Sequence, residues 1–105
     1  MPNLKQSASL KDIQKYVVEL EKERGFSGQS VIEKCLMLGE ETGELFKAVR
    51  KVERIKVDPN SQIPEVSHEL ADILIFVCSI ANRYEIDLET AFRNKEALNK
   101  KRSWK

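Results

Sequence analysis

Residues 36–49, LMLGEETGELFKAV, and residues 68–82, HELADILIFVCSIAN, each place two acids where a helix would carry apolar side chains. Apolar residues recur in both segments at three- and four-residue intervals, the period of an amphipathic helix. Leu38, Glu41, Leu45, Val49 and Val52 form one stripe, and Val66, Glu69, Ile73, Phe76 and Ile80 form the other. Glu41 and Glu44, like Glu69 and Asp72, are spaced i, i+3, so each pair lies about 60° apart around its helix. Two such helices joined by a turn fold back antiparallel, which sets one pair of acids opposite the other. Four anions on apolar faces repel one another and resist burial, so a cation must sit among them or some must protonate.

The rest of the chain extends the helical pattern, and no stretch alternates long enough to make a strand. The expected class is all-α: a four-helix bundle around a central antiparallel hairpin, in a single domain spanning 1–105 with a basic tail at about 99–105. A first helix is predicted from about Leu10 to Arg24, with Ile13, Tyr16, Val17 and Leu20 inward, Ser9 as N-cap and Gly25 as the stop. A second runs to about Arg54 behind the capping box Ser30/Glu33. The segment 57–64, with Asp58, Pro59, Asn60, Ser61 and Pro64, is the strongest break. A third helix follows from about Pro64 to Tyr84, with Pro64 or Glu65 in its first turn. Asp87 caps a fourth, with Leu88, Ala91, Phe92, Ala97 and Leu98 inward.

At 105 residues with 41% hydrophobic and 33% charged residues, the composition is that of a globular protein with one core. No run approaches the roughly 18 apolar residues of a membrane span. No signal segment precedes the first helix, so the expected location is cytoplasmic. The net charge of +1 implies no general affinity for nucleic acid. Cys35 and Cys78 lack a C-x-x-C partner and read as buried, reduced core thiols.

Oxygen-only ligands select a hard cation, so the acids favour Mg²⁺, with Mn²⁺ substituting, over zinc or copper. The lone His68 precedes Glu69 and does not follow it by three, unlike the Glu-x-x-His motif of di-iron bundles. Mg²⁺ held by carboxylates and substrate oxygens is the usual arrangement for phosphate chemistry, in which an oriented water attacks phosphorus. Neither a covalent nucleophile constellation nor a Gly-rich phosphate loop is present.

The strings E-E-T-G-E at 40–44 and E-L-A-D at 69–72 resemble the E-E-x-x-E and E-x-x-D signature of MazG-like nucleoside triphosphate pyrophosphohydrolases. Arg24, Gly25 and Phe26, where the family often has R-G and an aromatic, and the K-x-x-x-N-x-x-R pattern of Lys95, Asn99 and Arg102 extend the resemblance over essentially the whole chain. The resemblance implies Mg²⁺-dependent cleavage of a nucleotide to monophosphate and pyrophosphate, serving nucleotide-pool cleansing, in a homodimer or homotetramer. It assigns Glu41, Glu44, Glu69 and Asp72 as metal ligands, Glu41 and Glu44 as catalytic, and Glu40 as supporting. Lys95, Asn99, Arg102 and Phe26 become candidate substrate contacts, Phe26 for base stacking where the family often has tryptophan. A dUTP- or dCTP-selective relative, a phosphoribosyl-ATP pyrophosphohydrolase and a non-enzymatic helical module with a basic tail are the competing readings.

Overall fold

The computed structural model describes residues 2–54, 58–60 and 65–102. They form four helices: α1 (Leu10–Arg24), α2 (Val31–Val52), α3 (Val66–Arg83) and α4 (Leu88–Lys100). No described residue lies in a strand, and no helix among them is long and apolar enough to cross a membrane. The predicted elements are all present. The predicted start at Pro64, most of the 57–64 break and the last residues of the basic tail, 103–105, lie outside the described residues.

Local chemistry sets the helix ends. Ser9 and Ser30 each accept a hydrogen bond from the backbone of the third helical residue, whose Asp12 or Glu33 carboxylate accepts the cap's own N–H in return. These bonds hold both carboxyls below their ordinary range. Gly25 ends α1 at φ 76°, a left-handed conformation that glycine adopts without a Cβ penalty. Asp87 caps α4 by accepting from the Thr90 N–H.

The principal packing is α2 on α3, α1 lies across α3, and α4 rests on α1. Val17, Leu20 and Cys78 form the centre of the core, with Ile13, Tyr16, Ile75 and Leu88 packed around it. Gln14 ties α1 to the α3–α4 turn. Its Nε2 donates to Asn82 Oδ1 at 3.0 Å and to the Ile86 carbonyl at 2.8 Å, while its Oε1 accepts the Leu88 N–H at 2.9 Å.

Several positions expected inside are at the surface of the single chain. Cys35 is exposed, so only Cys78 is the buried thiol. Val49 and Val52, at the end of the α2 stripe, and Phe92, Ala97 and Leu98 on α4 are exposed as well. The principal packing of α4 is on α1, which leaves much of its surface open. The radius of gyration, 16.4 Å, exceeds the roughly 13 Å of a compact chain of this length.

Candidate active site

The acids come from α2 and α3. Contacts of Glu41 with Glu69, and of Lys34 with Phe76 further along, show that the two helices run antiparallel as predicted. One carboxylate oxygen each from Glu41, Glu69 and Asp72 lie within 4.8 Å of one another. Glu69 is the buried member, whereas Glu41 and Asp72 are partly exposed. Glu44 stands outside this triad, but its charge acts on Glu41. Glu40 faces solvent.

The electrostatics are those of crowded anions. A hydrogen bond to Glu69, followed by desolvation and the charges of Glu69, Asp72 and Glu44, pushes the Glu41 carboxyl from 4.5 up to about 7. Glu69 Oε2 is buried with no hydrogen-bond partner among the described residues. A buried carboxylate oxygen without a donor is costly, and a hard cation bridging the three acids satisfies it while removing their repulsion. The donor set therefore fits a divalent metal.

The sequence reading missed a second buried polar cluster beside these acids. Glu21 on α1 receives a two-pronged contact from Arg83 on α3, Nη2 to Oε2 at 2.8 Å and Nη1 to Oε1 at 3.1 Å. The Ser79 hydroxyl donates to Glu21 Oε1 at 3.0 Å, and Lys34 Nζ lies 3.4 Å from Oε2. Burial alone would raise the Glu21 carboxyl, but the hydrogen bonds from Arg83 and Ser79 and the charges of Arg83 and Lys34 reverse this and hold it low. Arg83 also donates to the carbonyls of Phe26 and Gln29, which fastens the α1–α2 loop to α3. The signal was legible in the helical period. Glu21 follows Val17 by four, Lys34 precedes Leu38 by four, and Arg83 follows Phe76 by seven, so each continues an inward stripe.

Lys34, only 2% exposed, places its ammonium 5.2 Å from the centre of the Phe26 ring and 5.6 Å from that of Phe76. A cavity of about 110 Å³ opens at this point, lined by Lys34, Phe26 and Phe76 and also by Asp72 of the acidic triad. Phe26 thus lines the same cavity as Asp72. Lys95, Asn99 and Arg102 are on or just beyond α4, whose principal packing is on α1.

The fold and site define an all-α protein whose facing helices carry a carboxylate cluster able to hold a hard cation. Residues 29–103 match the MazG nucleotide pyrophosphohydrolase domain, and the chain belongs to that family. It is similar to the crystal structure of iMazG from Vibrio DAT 722, at 29% sequence identity and a TM-score of 0.67, over 88% of this chain and 94% of that one. No curated protein matches the chain. The family and the structural likeness make the protein a nucleotide pyrophosphohydrolase, a hydrolase acting on phosphoric anhydrides.

Proposed function

We propose that the protein hydrolyses nucleoside triphosphates, ribo- or deoxyribo- and including noncanonical ones, to the monophosphate and pyrophosphate with Mg²⁺, Mn²⁺ substituting, and so cleanses the cytoplasmic nucleotide pool. The observation that carries this reading is the convergence of Glu41, Glu69 and Asp72 within 4.8 Å on the hairpin of a MazG-family chain. Those three residues with Glu44 would hold the ion. When bound, the ion supplies charge neutralisation at phosphate oxygens and Lewis-acid activation of water.

The chain's own residues contribute the rest. Glu41 would accept the proton of the attacking water, and Glu44 one turn along would orient the same water. Glu40, exposed on the helix, supports the site through charge. Phe26 offers an aromatic face to the base.

Lys95, Asn99 and Arg102 would contact phosphates from a second copy, since the principal packing of their helix is on α1. Self-association as a homodimer or homotetramer is supported by Ile32, Leu36 and Phe46 on α2 and Leu70 on α3, all more than half exposed.

The test is a panel of nucleoside triphosphates and diphosphates scored for released pyrophosphate and phosphate with Mg²⁺ or Mn²⁺. Pyrophosphate and monophosphate in equal amounts from triphosphates, abolished by chelation, is the expected result. A panel silent with both metals overturns the proposal.

A further inference from the structure

Glu21 is gripped from two sides. Arg83 and Ser79 hold it from α3, and Lys34 holds it from α2 at 3.4 Å. Helix packing joins α1 chiefly to α3, so the ion pair with Lys34 is a polar link that carries α1 to α2. Both of its side chains are enclosed, Lys34 at 3% and Glu21 at 6% exposed, where solvent ions screen a charge pair little. Stability is a weak reason for such a pair, since apolar residues of similar volume often serve as well or better. Its best-attested use is to fix one register among several.

The register at stake is that of the acids. Lys34 and Glu41 are seven residues apart on α2, and Asp72 and Ser79 are seven apart on α3. Seven residues make two turns, about 10 Å along the axis, and return to nearly the same face. Because α2 and α3 run antiparallel, the tie around Glu21 and the acidic triad form neighbouring layers of one interface. The Lys34 ammonium lies 5.6 Å from the ring of Phe76, one turn beyond Asp72, and all three residues line one cavity. In the acid layer Glu41 faces the charges of Glu69 and Asp72, which drive the two helices apart. In the tie layer Lys34 is drawn to Glu21, itself locked to α3 by Arg83, which pulls them together. A slide or rotation of α2 that parted Lys34 from Glu21 would carry Glu41 with it, since two turns of helix move as one body.

We propose that Lys34 is a positioning residue for the divalent metal: its pairing with Glu21 fixes α2 against α3 and so sets the spacing of Glu41 from Glu69 and Asp72. The proposal rests on the hydrolase reading for the ion itself. Lys34 acts through α2 and not as a ligand, because an ammonium has no acceptor to give a cation. The consequence is selectivity. Mg²⁺ demands near-ideal octahedral geometry at about 2.0–2.1 Å, whereas Ca²⁺ accepts irregular shells at about 2.3–2.6 Å. Loosening the triad therefore weakens Mg²⁺ more than Ca²⁺. A change of nearby charge, by contrast, acts alike on two ions of equal charge.

Calorimetric titration of the full chain with Mg²⁺ alone and with Ca²⁺ alone, without nucleotide, reads both affinities at a temperature where circular dichroism shows each variant folded. Lys34→Met is expected to lower the ratio of Mg²⁺ to Ca²⁺ affinity about tenfold, the low end of what losing support for metal ligands costs. Ser79→Ala removes a hydrogen bond to Glu21 but leaves the link to α2, and its ratio is expected to match that of the unsubstituted protein. Should Lys34→Met not fold, Glu21→Gln, which keeps the shape and removes the charge that Lys34 pairs with, is expected to lower the ratio in the same direction. A ratio unchanged or raised in the folded variant, or lowered equally by Ser79→Ala, overturns the positioning role. Binding of neither ion to the unsubstituted protein overturns the metal reading and this role with it. Turnover separates the two readings. A lowered ratio with no hydrolysis of any nucleotide supports the positioning role and overturns the hydrolase reading, whereas Mg²⁺-dependent hydrolysis with an unchanged ratio overturns the role alone.

Discussion

Arg83 and Glu21 meet in a two-pronged ion pair at 2.8 and 3.1 Å that joins α3 to α1, with the glutamate side chain 6% and the arginine 16% exposed. Four elements converge there, because Lys34 reaches it from α2 and the α1–α2 loop hangs from the same guanidinium through the Phe26 and Gln29 carbonyls. Removing Arg83 leaves the buried Glu21 with only Lys34 at 3.4 Å and the Ser79 hydroxyl. Arg83→Met is therefore expected to destabilise the protein by about 3 kcal/mol. Urea denaturation measures it, and a loss under about 1 kcal/mol, the worth of an exposed pair, contradicts the structural role given to Arg83.

The raised Glu41 carboxyl predicts a pH dependence of the metal-free protein. A carboxyl whose folded-state value lies above its unfolded value favours folding in its protonated form. Its contribution is thus full below about 4.5 and is lost as pH rises through about 7. Thermal melts in chelator are expected to fall across this interval, and Glu41→Gln should flatten the fall. Saturating Mg²⁺ should flatten it in the unsubstituted protein, because the cation favours the ionised acids. A melt in chelator that rises from pH 5 to pH 7 and is insensitive to Glu41→Gln contradicts the assignment.

Glu69→Gln and Asp72→Asn each remove one anion from the triad. Catalysis is expected to fall on the order of a hundredfold or more, as for other losses of transition-state charge stabilisation. Stability of the metal-free fold is expected to hold or rise, since repulsion is relieved. Steady-state kinetics paired with thermal melts of the same preparations read both quantities. Unfolding in step with the lost activity would assign these acids a structural role instead.

Leu36 and Phe46 on α2 are 67% and 63% exposed in the single chain. A doubly charged variant, Leu36→Glu with Phe46→Glu, is expected to shift the protein toward monomer in light scattering coupled to gel filtration. Burying two charges in an apolar interface would cost more than the contact returns. An unsubstituted protein already monomeric at high concentration rules out the proposed assembly.

The carboxylate pairs were legible because two periodicities coincide: apolar residues at helical spacing, and acids at positions that complete the stripe. Helix limits were legible for a similar reason, since Ser9, Ser30, Asp87 and Gly25 act through bonds within a few residues of themselves. Burial was less so. Cys35 and Phe92 sit in good helical patterns yet stand exposed, because a pattern does not reveal which neighbour covers a face. Lys34, Glu21 and Arg83 lay on the stripes all the same, but charged residues read as solvated unless their partners, 13 to 62 positions away, are known.

By itself the sequence determined four helices, their caps, and an acidic motif that calls for a hard cation, because each depends on covalent neighbours and the 3.6-residue repeat. Only the tertiary structure decided that Glu41, Glu69 and Asp72 converge while Glu44 stands apart, that Glu69 is the buried acid, and that Lys34 is enclosed between two aromatic rings beside them. Those outcomes turn on how far α2 is rotated and displaced against α3 and α1. That geometry is set by the packing of side chains from distant parts of the chain, which no local period encodes.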